Sequence, residues 1–306
     1  MPEHEPYPTP ASVENAIKHA AQRAASLDPS LGVSKRIELE YFNRFLSRIF
    51  SDGTSSDWVL KGGTGMLARV PNTRATRDID LHLQSASLDE ALQELVRLAS
   101  IDLGDHFRFE YSSSNSIDND AQPYSPLVRV NFNVFIGLNK KVPLRVDVVT
   151  GPGVTGEITT AEPAGALDLP RLVSHSYRLY PVVDQIADKV CATMTKYGQQ
   201  PSSREKDLVD LVVLATTQDI PGAALRRAIQ SESLRRRIGP LDGFATPASW
   251  GVGYAELSKS VTHCHGYPTA KAATELLTRL IDPALSGVVD QQTWAHQNLD
   301  WVRRDI

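Results

Sequence analysis

Three aspartates and a glycine-rich turn are the residues of this chain best suited to chemistry. Gly63-Thr64 is followed, after thirteen intervening residues, by Asp78-Ile79-Asp80. Carboxylates at i and i+2 of a strand project from one face. Like charges that close are costly unless a cation lies between them. Mg²⁺ is the natural occupant, a hard ion that takes carboxylate, water and phosphate oxygens. The Gly62-Gly63 turn lets the backbone approach a phosphate, and its N–H groups with the Thr64 hydroxyl can hold triphosphate oxygens. Ile79, Leu81 and Leu83 alternate with Asp78, Asp80 and His82, so a buried apolar face fixes both aspartates on the other surface. Taken singly, an Asp-x-Asp on a strand is usually just solvated and a glycine turn is commoner still; their adjacency is what favours a site.

A third carboxylate lies in the strand Val142–Val149, where Val142, Leu144, Val146 and Val148 share one face and Asp147 the opposite one. An ionised Asp in so apolar a strand needs a partner. Pairing with Arg145, two residues earlier on the same face, and a metal or base role both remain open. In the C-terminal half, Lys189 follows Ile186 at the edge of an apolar helix face, able to bury its stem and present its ammonium. Asp207 and Asp210, at i and i+3, share a helix face beside the stripe Leu208, Leu211, Val212 and Ala215. Lys189 can neutralise the β- and γ-phosphates and the departing pyrophosphate, with Asp207 orienting it. Alternatively it forms an inter-helix salt bridge with Asp207 or Asp210.

The string Leu60-Lys61-Gly62-Gly63-Thr64 … Thr76-Arg77-Asp78-Ile79-Asp80-Leu81, with Asp147 on a later strand, resembles the AbiEii/AbiGii toxins, which include the MenT type, within the polymerase-β-like nucleotidyltransferases. The second signature, Ile186-Ala187-Asp188-Lys189-Val190 then Lys206-Asp207-Leu208-Val209-Asp210-Leu211, is similar to that family as well. The resemblance spans roughly residues 57–215. It implies a polymerase-β-like α/β (α+β) fold with a mixed sheet and a helical C-terminal lobe. It also implies Mg²⁺, in a two-metal site on Asp78, Asp80 and Asp147, with NTP as substrate. Nucleotide-binding positions would be Lys61, Gly62, Gly63, Thr64, Arg77, Lys189 and Asp210; catalytic ones, Asp78, Asp80, Asp147, Lys189 and Asp207. The implied acceptor is the 3′ end of tRNA, which would inhibit translation and growth, and the implied partner is a separate antitoxin. A small-molecule or protein nucleotidyltransferase, or a catalytically silent binding module, are the competing functions.

The elements that must position these residues follow from periodicity. Helices are expected at 11–26 and 34–50, the second with the stripe Ile37, Tyr41, Phe45 and Ile49. Strands are expected at 58–60, 78–83, 106–111, 127–136 and 142–149, with a short helix at 66–69 and another at 88–99. Ser112–Pro126 reads as a polar, mobile loop. A Gly/Thr/Pro-rich stretch at 150–168 marks a seam, giving lobes at 1–165 and 166–306. The second lobe reads as almost wholly helical, at 184–197, 204–217, 221–230 and 269–284, with further helices near 232–238, 254–261 and 290–298.

Composition narrows the classes. Hydrophobic residues make up 41% of 306, enough for a sizeable core, and a net charge of −4 requires any nucleic acid to meet a local patch. No apolar run reaches membrane-spanning length, and the Pro-rich start does not read as a signal peptide. Two cysteines, Cys191 and Cys264, make no disulfide framework and suit a cytoplasmic setting. His263-Cys264-His265 is weak as a zinc site, since neighbouring residues cannot easily close a tetrahedron. Phe107-Arg108-Phe109 reads as a half-buried strand. Arg226, Arg227 and Arg235–Arg237 form either a solvated helix surface or an RNA-phosphate patch. Trp250, Trp294 and Trp301 are packing anchors or partner-facing.

Overall fold

The computed structural model describes residues 5–71, 73–84, 87–117, 127–195 and 202–303. Helices α1 (Pro10–Leu27) and α2 (Val33–Ile49) precede β1 (Trp58–Lys61), α3 (Gly62–Arg69), β2 (Ile79–Leu83) and α4 (Leu88–Ala99). Then come β3 (Phe107–Ser116), β4 (Leu127–Ile136), β5 (Asn139–Lys140), β6 (Leu144–Thr150), β7 (Thr159–Ala161) and β8 (Tyr177–Leu179). These strands form one mixed sheet in the order β3-β4-β6-β2-β1-β8-β7, with β5 against β4. The β2–β6 and β1–β8 pairs are parallel. The fold class is therefore mixed α/β, as the motifs imply. Tyr177–Leu179 join this sheet although they lie beyond residue 165.

Alternation places the core on one face only. Val128, Val130, Phe132, Val134 and Ile136 of β4, with Val146 and Val148 of β6, pack against Phe45 and Ile49 of α2 and Leu95 of α4. Phe107 and Phe109 join them, the latter edge-on to Phe45. Helix α2 is buried on more than its apolar stripe: Arg48 chelates Asp105, and Arg44 pairs with Glu40, all four side chains being buried. The expected polar loop at 112–126 begins later than the sequence suggests, since β3 continues through a bulge after Tyr111 to Ser116. Residues 118–126 lie outside the described residues.

Beyond β8 come α5 (Val182–Met194), α6 (Glu205–Thr217), β9 (Ile220–Pro221), α7 (Gly222–Arg236), α8 (Val252–Ser258), α9 (Ala270–Ser286), β10 (Gln292–Ala295) and β11 (Asp300–Arg303). Their core is a separate apolar cluster that also takes in Met66 and Val70, so α3 and the residue closing it are packed into the helical half. Two expectations fail here. The helices at 221–230 and 232–238 are one continuous α7. The helix near 290–298 is instead a hairpin of β10 and β11, extended by β9. Trp294 and Trp301 face each other across that hairpin at 5.8 Å, and the Trp294 indole donates to the Ala215 carbonyl at 2.8 Å; such cross-strand aromatic pairs favour sheet over helix. Trp250 is likewise a packing anchor, its indole donating to the Ser202 carbonyl. Among the described residues no helix is long and apolar enough to cross a membrane.

Candidate active site

At Lys61 the chain passes from β1 straight into α3, so the glycine-rich turn is the first turn of a helix. Gly62 has φ +61°, and a Cβ there would lie 1.9 Å from Asp80 Oδ2. The left-handed backbone and the close approach of the carboxylate both require glycine. A Cβ on Gly63 would meet the Thr76 hydroxyl at 2.8 Å. Thr64 is buried and donates to the Asp78 carbonyl at 2.8 Å, so its hydroxyl fastens β2 to α3 and does not face the cleft.

Strand register brings the carboxylates together. Asp80 stands opposite Asp147 on β6 and opposite Lys61 on β1, and Asp147 stands opposite Arg129 on β4. A single row thus crosses the sheet: Arg129, Asp147, Asp80, Lys61. Arg129 grips Asp147 at both oxygens, each at 2.7 Å. Arg145, the partner considered for Asp147, instead lies 3.0 Å from Asp78. The reason is geometric: residues i and i−2 of a strand are about 7 Å apart, whereas direct cross-strand neighbours are about 5 Å apart. Asp80 makes no hydrogen bond or ion pair with the described residues. Burial, followed by the charge of Asp147, pushes its pKa up to about 6.

The opposite wall comes from α5 and α6. Lys189 is buried and donates to Asp210 at 2.6 Å and to Asp207 at 3.3 Å, so the inter-helix salt bridge exists with both partners. Burial would lower its pKa, but Asp210 and Asp207 carry it above the usual lysine value. Arg74 holds Asp210 from the other side at 2.7 and 2.8 Å, and Arg204 lies 2.5 Å from Asp207. Asp188 pairs with Arg236; burial opposes its ionisation, yet Lys61, Arg236, Arg204 and Lys189 hold it well below the usual carboxylate range.

Between the walls lies a cleft of about 550 Å³ lined by the Lys61–Gly63 turn, Asp78, Asp80, Asp147, Lys189 and Asp207, together with Arg74, Arg129, Asp188, Arg204 and Lys206. Asp210 sits behind Lys189, outside the lining. Arg77 is exposed and does not line the cleft; Arg74, three residues earlier, does. Lys61 and Lys206 form no ion pair with the described residues. Lys61 lies 5.1 Å from the Tyr180 ring, and burial with the neighbouring Arg204 lowers the Lys206 pKa. Asp188 and Lys206 stand in the second signature with no role assigned, and Arg204 lies two residues before Lys206; Arg74 and Arg129 are the two with no place in the sequence reading. Arg129, a charge on the open face of a strongly alternating strand, was the one with a detectable signal.

The arginine cluster is largely neutralised. Arg226 pairs with Asp290, Arg235 with Glu232, and Arg236, itself buried, with Glu232 and Asp188. Only Arg227 and Arg237 of the five are exposed. Among the described residues no group of three or more His, Cys, Asp or Glu side chains could hold a metal as they stand, the 263–265 triplet included.

Two solved structures from Helicobacter pylori are similar to this chain at low identity. JHP933 is 15% identical over 83% of this chain and 94% of its own, with a TM-score of 0.43. A protein solved as a candidate nucleotidyltransferase is 15% identical over 81% and 95%, with a TM-score of 0.42. The comparison with curated proteins gives no match. The family model described as nucleotidyl transferase AbiEii toxin, type IV TA system, matches residues 44–297, which covers both signatures and both halves of the cleft, and the chain belongs to that nucleotidyltransferase family.

Proposed function

We propose that this protein transfers a nucleotide from an NTP to the 3′ end of tRNA, in the cytoplasm, as a growth-inhibiting toxin restrained by a separate antitoxin. The observation that carries the transfer chemistry is the row Asp147–Asp80–Lys61, set in one cleft against Lys189 and Lys206. Asp80 is a half-buried carboxylate beside a second one, with no ion pair among the described residues, an arrangement a divalent cation relieves. Its raised pKa is the mark of that strain. The donor set of Asp78, Asp80 and Asp147, all hard oxygens, fits Mg²⁺, provided Arg129 and Arg145 yield their carboxylates. When bound, the ion supplies neutralisation of triphosphate charge.

The chain's own residues do the rest. The triphosphate rests on the backbone of Gly62 and Gly63 and on the ammonium groups of Lys61 and Lys206, which form no ion pair among the described residues. Lys189, locked between Asp207 and Asp210, presents a fixed positive charge to the departing pyrophosphate. The acceptor oxygen attacks the α-phosphorus in line, the bond from that phosphorus to the bridging oxygen breaks, pyrophosphate leaves, and Asp147 accepts the hydroxyl proton. Thr64 and Arg77 fall out of direct contact with the nucleotide in this scheme.

The test is to incubate the protein with each labelled NTP, Mg²⁺ and total RNA. Label in tRNA, lost in Asp80→Ala, is the expected result. Label in a protein or small molecule with none in RNA would replace the acceptor. Absence of transfer to any of them would leave a binding module.

A further inference from the structure

The sheet row that carries the carboxylates does not stop at Arg129. Asn115 on β3 stands opposite it, so the row runs Asn115, Arg129, Asp147, Asp80, Lys61 across five strands. The next row holds Ser113, Asn131 and Arg145, and Asn131 donates to the Ser113 hydroxyl at 3.1 Å. Farther along β4, Asn133 and Phe135 occupy the same face; the Arg108 guanidinium lies 4.6 Å from the Phe135 ring centroid and pairs with Glu110, which stands opposite Asn133. Every alternate residue of β4 from Leu127 to Phe135 is partly exposed, while those between are buried against α2 and α4. On β3 the residues of this face, Arg108, Glu110, Ser113 and Asn115, are likewise exposed or partly exposed.

We propose that this open face of β3, β4 and β6 is the platform on which the single-stranded end of the acceptor RNA lies, a proposal that rests on the RNA acceptor put forward above. Geometry supplies the direction. The α5 and α6 wall rises on the β1 side of the cleft, where Gln185 of α5 donates to the Gly62 carbonyl. A strand whose terminal hydroxyl reaches Asp147 from the other side must cross β4 and β3. The face extends about 10 Å across those strands and on the order of 25 Å along them. Its chemistry suits nucleic acid better than protein. Amide and hydroxyl side chains can read splayed bases, Arg129 and Arg145 can meet phosphates once the carboxylates are otherwise neutralised, and the Arg108–Phe135 stack offers a surface for a base. Among the described residues, its apolar side chains on β4, Leu127 and Phe135, stand at opposite ends of the strand and form no apolar centre of the kind a protein interface requires. The α7 cluster, with three of its five arginines in ion pairs, is the weaker surface for phosphates.

Two double variants of opposite charge test this, Asn131→Asp with Asn133→Asp, and Asn131→Lys with Asn133→Lys. With the RNA that the wild type labels as probe, the aspartate pair is expected to raise KM for RNA about tenfold or more at low salt. The lysine pair should lower it and steepen its dependence on salt, by about 0.7 of a log–log unit per phosphate gained. KM for NTP should hold in both. If the wild type labels RNA but both pairs leave KM for RNA unchanged, or move it in the same direction, the platform is wrong and the transfer reading stands. If the wild type labels no RNA, the acceptor assignment fails and the platform with it.

Discussion

Replacing Asp80 with Asn should make the metal-free protein more stable at neutral pH while abolishing transfer. The carboxyl is raised from 3.8 to about 6, first by burial and then by the charge of Asp147. An acid that holds its proton more tightly in the folded state contributes stability that is intact below its unfolded pKa. That stability is lost as pH rises through the folded value, here between about 4 and 6. Two pH units at about 1.4 kcal/mol each amount to roughly 3 kcal/mol set against the fold at pH 8. Asn is isosteric and uncharged, so it recovers up to that amount, or about 1.5 °C in Tm per kcal/mol at roughly 2.1 cal/mol/K of unfolding entropy per residue over 306 residues. Calorimetry with EDTA at pH 8 and at pH 4 is the measurement. The variant should melt higher at pH 8, and the two proteins should converge at pH 4. Mg²⁺ should raise the Tm of the wild type and leave the variant nearly unmoved. An equal gain at both pH values, or no gain at pH 8, would refute the account of Asp80 as a strained carboxylate awaiting a cation.

Gly62→Ala should cost about 1–3 kcal/mol through its left-handed backbone. It should also drive Asp80 out of place, since the new Cβ would fall 1.9 Å from Oδ2; a Tm drop without loss of transfer would contradict this. Lys189→Met should destabilise by a few kcal/mol at most, because Arg74 and Arg204 remain to hold Asp210 and Asp207, and should lower kcat far more than it raises KM for NTP. A KM effect alone would reduce Lys189 to nucleotide binding, and lost stability with no kinetic defect would return it to a purely structural role. Arg236→Ala removes the buried partner of both Asp188 and Glu232, so about 3–5 kcal/mol of stability should go; a variant as stable as wild type, with weakened RNA binding, would restore the α7 cluster as an RNA surface.

The spacing of Gly62, Gly63, Asp78, Asp80 and Asp147 made the floor of the cleft legible because period-two alternation fixes which face each residue occupies, whatever the strands do next. Which strands become neighbours is a long-range fact. Arg129 is eighteen residues from Asp147 in sequence and directly opposite it in register, and nothing local distinguishes it from Arg145 as a partner. Arg74 and Arg77 flank the same turn with the same chemistry; only the packing of α3 against the helical half decides that the first reaches Asp210 and the second faces solvent. The tail failed for a related reason. Residues 290–298 lack strong alternation, and their strand character comes from Trp301 and Ile220, which lie outside any local window.

Ion pairing separates the cations of the cleft into two kinds. Lys189, Arg74 and Arg204 are committed to Asp207 and Asp210, so a triphosphate meets their charge already fixed in place and has little ordering cost to meet at that wall. Lys61 and Lys206 form no ion pair among the described residues and can close directly on phosphate oxygens. Among the described residues, Arg129 and Arg145 pair with the carboxylates a divalent cation would take. Loading that cation would turn two neutral pairs into two free guanidinium groups on the β4–β6 face. Nucleotide and metal binding on one side of the row would then raise the positive charge offered to RNA on the other. The order this implies, NTP with its ion first and acceptor second, is visible in steady-state kinetics: NTP should lower the apparent KM for RNA, and Arg129→Gln should weaken that coupling.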